Sequence, residues 1–185
     1  MKNLIPATIV LASLSLVALP ACDSTSKMSP EDQMKLLKND ADNTVTRCKD
    51  KFPSTKGEFS KAYGYAVYPS IGKGGLIVGG FHGNGLVYEG GKLVAKSSAG
   101  GGTIGAQIGG QDYSEVIFFK DKGAFDRFKR GETAFQAGGS AVAAGAGASA
   151  AVDYKDGVAV FAFGAEGLML EGVIGGQTFS FDPIK

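Results

Sequence analysis

The chain is poor in the residues that metal and acid–base chemistry draw on. It holds one histidine (His82), two cysteines (Cys22 and Cys48) and no tryptophan in 185 residues. With Cys22 closing a leader segment, one imidazole and one thiol remain, and no zinc site is expected. The G-x-S-x-G, H-E-x-x-H and G-x-x-x-x-G-K-[ST] patterns are all absent, so no nucleophile elbow, zinc protease helix or phosphate loop is expected. There is little charge imbalance: 19 basic residues face 18 acidic ones. A basic, nucleic-acid-binding surface is thereby excluded. Prolines number 6, and no collagen-like period organises the glycines. No catalytic residue, cofactor or metal is expected, and no nucleic-acid partner.

What the chain does have is glycine, 29 residues of it, with 44% hydrophobic and 20% charged residues. That composition suits one globular domain after a short leader. The leader is plain. Lys2 gives a positive start, Leu4 to Leu19 is an uncharged apolar run, and "LPAC" closes it at Cys22. This is the pattern of a secretory signal, and the cysteine at its end resembles the lipobox of bacterial lipoproteins. The resemblance implies removal of residues 1–21 and acylation of Cys22. Loss of Lys2 would leave 18 basic and 18 acidic residues. Residues 22–29 are polar and read as a tether. The expected location is the bacterial envelope, lipid-anchored and facing the periplasm, in either the inner or the outer membrane. With Cys22 acylated, Cys48 has no intramolecular partner. A redox or intermolecular role stands open for it, but its place on an apolar helical stripe favours packing.

The domain, 30–185, begins as a helix. Ser29 is placed to cap it, Pro30 suits the first position, and Glu31 and Asp32 suit the first turn. Met34, Leu37, Ala41, Val45, Cys48 and Phe52 then recur at helical spacing up to Pro53. This amphipathic helix can lie on a membrane or pack on a sheet with a mixed polar face outward, and the second reading is preferred. A short helical piece follows around Glu58 to Tyr63. From Gly64 the period changes to two. "YAVYP" reads as a strand stopped by Pro69. "GGLIVGGFHG" and "GLVYE" read as two strands with Gly83-Asn84-Gly85 as the turn between them. Gly90-Gly91 and Lys155-Asp156-Gly157 mark hairpins. "DKGAFDRFKRG" is a helix capped by Asp121 and ended by Gly131. "SAVAAGAGASAA" is ambiguous, though small residues on both faces suit a closely packed strand. The expected class is α+β: a largely antiparallel β sandwich or partly closed barrel, one long N-terminal amphipathic helix and a short inserted helix.

"LIVGGFHGNG", Leu76 to Gly85, gathers four glycines around the histidine. No helix follows it, so the backbone amides needed to cradle a phosphate are not offered. His82 has no evident catalytic partner. It reads as a rim or turn residue, and the glycines as places where strands bend or approach another backbone.

Taken together, "GYAVYPSIGKGGLIVGGFHGNGLVY", "GGGTIGAQIGGQ" with "VIFF", and "GLMLEGV" resemble the SYLF domain family over about Glu31 to Pro183. The resemblance implies a lipid-binding module, with phosphoinositides as ligands in eukaryotic members and actin in some fungal ones. It points to Pro69, Lys73, Gly74 and Gly75, and to the helix from Glu31 to Phe52 as a membrane contact. The chain departs from the family at "FGAEGLML", where Glu166 stands in place of a basic element. The expected ligand is anionic phospholipid. Candidate headgroup contacts are Lys73, His82, Arg127, Lys129 and Arg130, by charge-assisted hydrogen bonds. Phe81 and Phe128 are candidate acyl or membrane contacts. Two bland readings stand beside these: Lys73 as an exposed turn lysine, and Arg127 to Arg130 as a solvated helix end that complements the dipole. The alternative function is a structural or stress-related envelope protein acting through a protein partner. Actin is not an expected partner.

Overall fold

The computed structural model describes residues 28–75, 78–104, 111–132, 141–142, 152–164 and 177–184. The leader, Cys22 and most of the tether lie outside these residues. So do most of "SAVAAGAGASAA", the middle of "GGGTIGAQIGGQ" and the whole of "GLMLEGV".

Helix α1 runs Pro30–Lys51. The Ser29 hydroxyl accepts the Asp32 N–H at 3.1 Å, which satisfies one of the donors left open at a helix start. Ala41, Thr44, Cys48 and Phe52 are buried at steps of three and four, which lays one stripe of the helix on the sheet. A 3-10 turn, Pro53–Lys56, and a single-turn helix α2, Glu58–Lys61, lead into the strands.

The strands are β1 Gly64–Gly75, β2 Val78–Glu89, β3 Lys92–Ile104, β4 Gln111–Phe119, β5 Ala141–Val142, β6 Val158–Gly164, β7 Thr178–Phe179 and β8 Asp182–Pro183. Helix α3, Lys122–Lys129, follows β4. The strands form one sheet in the order β5-β6-β4-β1-β2-β3-β7, with β8 also on β3. Every pairing is antiparallel except β5 with β6. The class is therefore α+β with a β-rich, antiparallel body.

The sheet is strongly curled. Tyr68 on β1 and Phe179 on β7 are separated by β2 and β3, about 14 Å along a flat sheet. Their ring centroids are 5.5 Å apart. The concave face packs Tyr68, Ile71, Phe81, Phe119, Phe125, Phe128 and Phe179 into one core. The opposite face packs Val67, Leu86, Val116, Phe118, Phe161 and Phe163 beneath α1.

Two boundaries differ from the sequence reading. Pro69 does not stop β1; it sits where the register shifts between Val67 and Ser70. A bulge tolerates a residue that cannot donate to the ladder, and the Pro69 carbonyl accepts the Ser114 hydroxyl at 2.6 Å. Nor is Gly83-Asn84-Gly85 a turn, because β2 runs straight through it. A Cβ on Gly85 would lie 2.4 Å from Tyr68 Cδ1, and one on Gly83 would lie 2.7 Å from Ile71 Cγ1. Both glycines leave room for β1 side chains that lean across β2 on the concave face.

Candidate functional site

Cys22 lies outside the described residues, and the expected headgroup and acyl contacts fall on different elements and do not assemble into one site. Lys73 lies on β1 in register with Phe81 of β2 and Gln111 of β4. His82 is mid-strand on β2, exposed, with Gly72 and Gly100 as its cross-strand neighbours. It is neither a rim nor a turn residue. Because strand side chains alternate, His82 points to the face opposite its neighbour Phe81. Phe81 belongs to the concave core, as does Phe128 on α3. His82 and the α3 cations thus stand on opposite sides of the sheet.

The α3 cations are locally engaged. An Arg127 Nη2 N–H donates to the Asp156 carbonyl. Arg130 makes two bonds of 2.7 Å to the Glu132 carboxylate. The Lys129 ammonium lies 5.7 Å from the Phe125 ring centroid and 5.4 Å from that of Phe181, a cation–π arrangement. These are exposed contacts of small energy, so the cations remain able to exchange partners. Phe81 and Phe128 cannot serve as exposed acyl contacts in this conformation. Phe128 is 0% exposed against Phe119 and Phe179, and Phe81 is buried too. The cause is the helical spacing of Ala124, Phe125 and Phe128, which turns one stripe of α3 into the curl.

Large apolar side chains are exposed elsewhere. Met28 is 46% and Leu36 50% exposed. Leu36 belongs to the start of α1 and Met28 lies just before its cap, a stretch where no described residue before Ala41 is fully buried. The first 11 residues of the helix, Pro30 to Asp40, extend about 16 Å with only Met34 and Leu37 half-covered. Lys35 and Lys38 flank Leu36 and are exposed. Among the described residues no helix is long and apolar enough to cross a membrane. Where α1 meets the bulge of β1, an open groove of about 550 Å³ is lined by polar groups including Asp40, Asn43, Arg47 and Ser70.

The most unusual chemistry lies inside the curl. Glu115 on β4 is fully buried, and its Oε2 accepts the Gln177 amide at 3.1 Å. Gln177 also donates to the Tyr113 hydroxyl at 3.0 Å. Among the described residues Glu115 Oε1 and Gln177 Oε1 have no partner. Burial pushes the carboxyl of Glu115 up to about 7, against a smaller lowering by the Gln177 bond. Beside it, the Tyr68 hydroxyl meets Ser97 Oγ at 2.6 Å, and Ser97 in turn donates to the Ser180 carbonyl. The sequence reading missed this cluster. A signal was present: Tyr113, Glu115, Ile117 and Phe119 alternate along β4, so an acid occupied a position whose neighbours at i±2 are apolar. Cys48 is buried, and desolvation pushes its thiol up to about 11. Among the described residues no group of three or more His, Cys, Asp or Glu is placed to hold a metal ion.

No family model matches the chain. It is similar to Beta cell expansion factor A of Aeromonas veronii, 35% identical over 146 residues. That match covers 77% of this chain and 54% of the relative, so the chain spans about half the length of the protein it matches.

Proposed function

We propose that the chain is a lipid-anchored envelope protein whose SYLF-like domain binds anionic phospholipid without catalysis. The observation that supports it most directly is the overhanging start of α1. Its exposed Leu36 and Met28 stand next to the tether. Seven residue steps separate Cys22 from Ser29, a reach of about 25 Å. An acyl anchor on Cys22 would hold this end of the helix at the bilayer surface. There Leu36 enters the acyl boundary while Lys35 and Lys38 meet phosphates. Met34 and Leu37 are half-covered and follow if the helix rolls. Lys73 provides further charge, whereas Arg127, Lys129 and Arg130 belong to α3 on the face opposite α1 and stand apart from this contact. The domain behind the helix is best read as a partly closed barrel with its own side chains filling the curl, which leaves binding to the surface. The facing compartment is the periplasm.

The competing reading is an envelope protein that acts through a protein partner. The local pairing of Arg127 and Arg130 favours it, since those cations are satisfied without a lipid. The test is vesicle co-sedimentation of the chain from Asp23 onward, with neutral and with anionic vesicles at low and high salt. Salt-sensitive binding to anionic vesicles is expected, weakened at least threefold by Leu36→Glu and by Lys73→Glu. Absence of binding to either vesicle type would leave the acyl group as the membrane contact and transfer the function to a protein partner.

A further inference from the structure

Gln177 stands immediately before β7, at the β3 edge of the sheet, yet its amide reaches β4. Strands β3, β2 and β1 lie between. The side chain therefore lies on the concave side and ties the β7 edge to β4, with three strands between them in the sheet order. Its two contacts there are the Tyr113 hydroxyl and the Glu115 carboxyl. Among the described residues no cation pairs with Glu115. The titratable groups that face it are Tyr68 from β1 and Tyr113 from its own strand. A buried carboxylate with no positive partner is costly, whereas the neutral acid is not.

The hydrogen-bond pattern bears on the charge rather than on the number of unpaired atoms. With an ionised Glu115, the cluster holds two oxygen acceptors that receive nothing from the described residues, Glu115 Oε1 and Gln177 Oε1. Amide oxygen and nitrogen are interchangeable by a half-turn of the Gln177 side chain. Once Glu115 carries a proton, that half-turn lets the Gln177 oxygen accept from both the Tyr113 and the Glu115 hydroxyls. The Gln177 amide nitrogen then takes the position without a partner, so as many atoms stay unpaired as before, but none of them is charged.

We propose that Glu115 and Gln177 form a proton-held clasp: the neutral acid keeps β7 seated across the concave face, and loss of the proton frees Gln177 and the β7–β8 edge. The edge is the place that yields. β7 and β8 each hold β3 through two register pairs, and such short edge pieces open at low cost. Release hydrates Glu115 and uncovers Phe179 and Tyr68, which pack against each other in the closed form. The closed form holds its carboxyl proton up to about pH 7, while an open, hydrated glutamate loses it near 4.3. Closure is thus strongest below about pH 4, weakens steadily toward about pH 7, and changes little above that.

The test is amide hydrogen exchange of the full chain at pH 5 and pH 7.5, corrected for intrinsic rates. Protection of residues 178–181 is expected to fall more than tenfold between the two, while β1 and β4 stay protected. In Glu115→Gln the fall is expected to disappear. Equal protection at both pH values in the unsubstituted chain would overturn the clasp, as would the same pH dependence in the variant. Should Glu115→Gln fail to fold, infrared spectroscopy of the unsubstituted chain decides. A protonated-carboxyl band that titrates near neutrality supports the clasp, and its absence at pH 5.5 overturns it.

Discussion

Glu115 and Gly85 carry the most information per residue. A carboxyl raised to about 7 by burial is bound by a proton more tightly in the folded than in the unfolded chain. Its stabilising share is therefore full below about pH 4 and lost as pH rises to about 7. Glu115→Gln should be more stable than the unsubstituted protein at pH 7.5, by up to about 3 kcal/mol. The difference should shrink toward zero at pH 4. Urea unfolding at the two pH values checks this, and a constant difference would refute the buried-acid account. Gly85 has no room for a methyl group: a Cβ would meet Tyr68 Cδ1 at 2.4 Å and the Val67 carbonyl at 2.6 Å. Gly85→Ala should cost about 2–3 kcal/mol by overpacking, read from the denaturant midpoint. The alternation along β4 signalled a buried Glu115 and the glycine run a close approach, but the partners, Gln177 and Tyr68, were not open to inspection of the sequence. The glycines of "GFHGNG" looked like a turn because local chemistry is the same for a turn and for a close approach. What distinguishes them is Tyr68, a residue of another strand.

Helices and strands are the scale at which the sequence was most legible. α1 and α3 begin where Ser29 and Asp121 offer side-chain oxygens, to the N–H groups of Asp32 and Ala124 respectively. α3 closes at Gly131, whose φ of +70° suits glycine. Asp121→Ala should destabilise the fold by about 1 kcal/mol, measurable as a lowered denaturant midpoint with α3 more open to exchange. Cys48, at the foot of the α1 stripe, is buried, with its thiol pushed up to about 11. It should resist a thiol-reactive reagent at pH 8 in the native protein and react rapidly in denaturant. Fast labelling of the native form would show that α1 lifts from the sheet. The errors at this scale share a cause. Pro69 and the 83–85 glycines are strand breakers by local propensity, and a bulge and a neighbouring ring overrode both.

The whole molecule is a sheet curled around rings drawn from distant parts of the chain. Phe179 closes the curl by packing on Tyr68 and Phe128. Phe179→Ala should therefore cost about 3 kcal/mol or more and reduce the tyrosine near-ultraviolet dichroism. A loss below about 1 kcal/mol would mean that β7 contributes little to closure.

The sequence alone determined the class of the domain, its capped helices and its hairpin turns at Gly90-Gly91 and Lys155-Asp156-Gly157. Those features depend on contacts within a few residues, which composition and spacing record directly. It also supplied the expectation of an acyl anchor, since "LPAC" after an apolar run is a local pattern. Only the tertiary structure decided that Phe81 and Phe128 face inward. It likewise decided that His82 and the α3 cations lie on opposite sides of the sheet, and that Glu115 meets Gln177. Residues 115 and 177 are 62 apart in sequence. Their encounter is set by the curl of the whole sheet, and no local propensity carries that information.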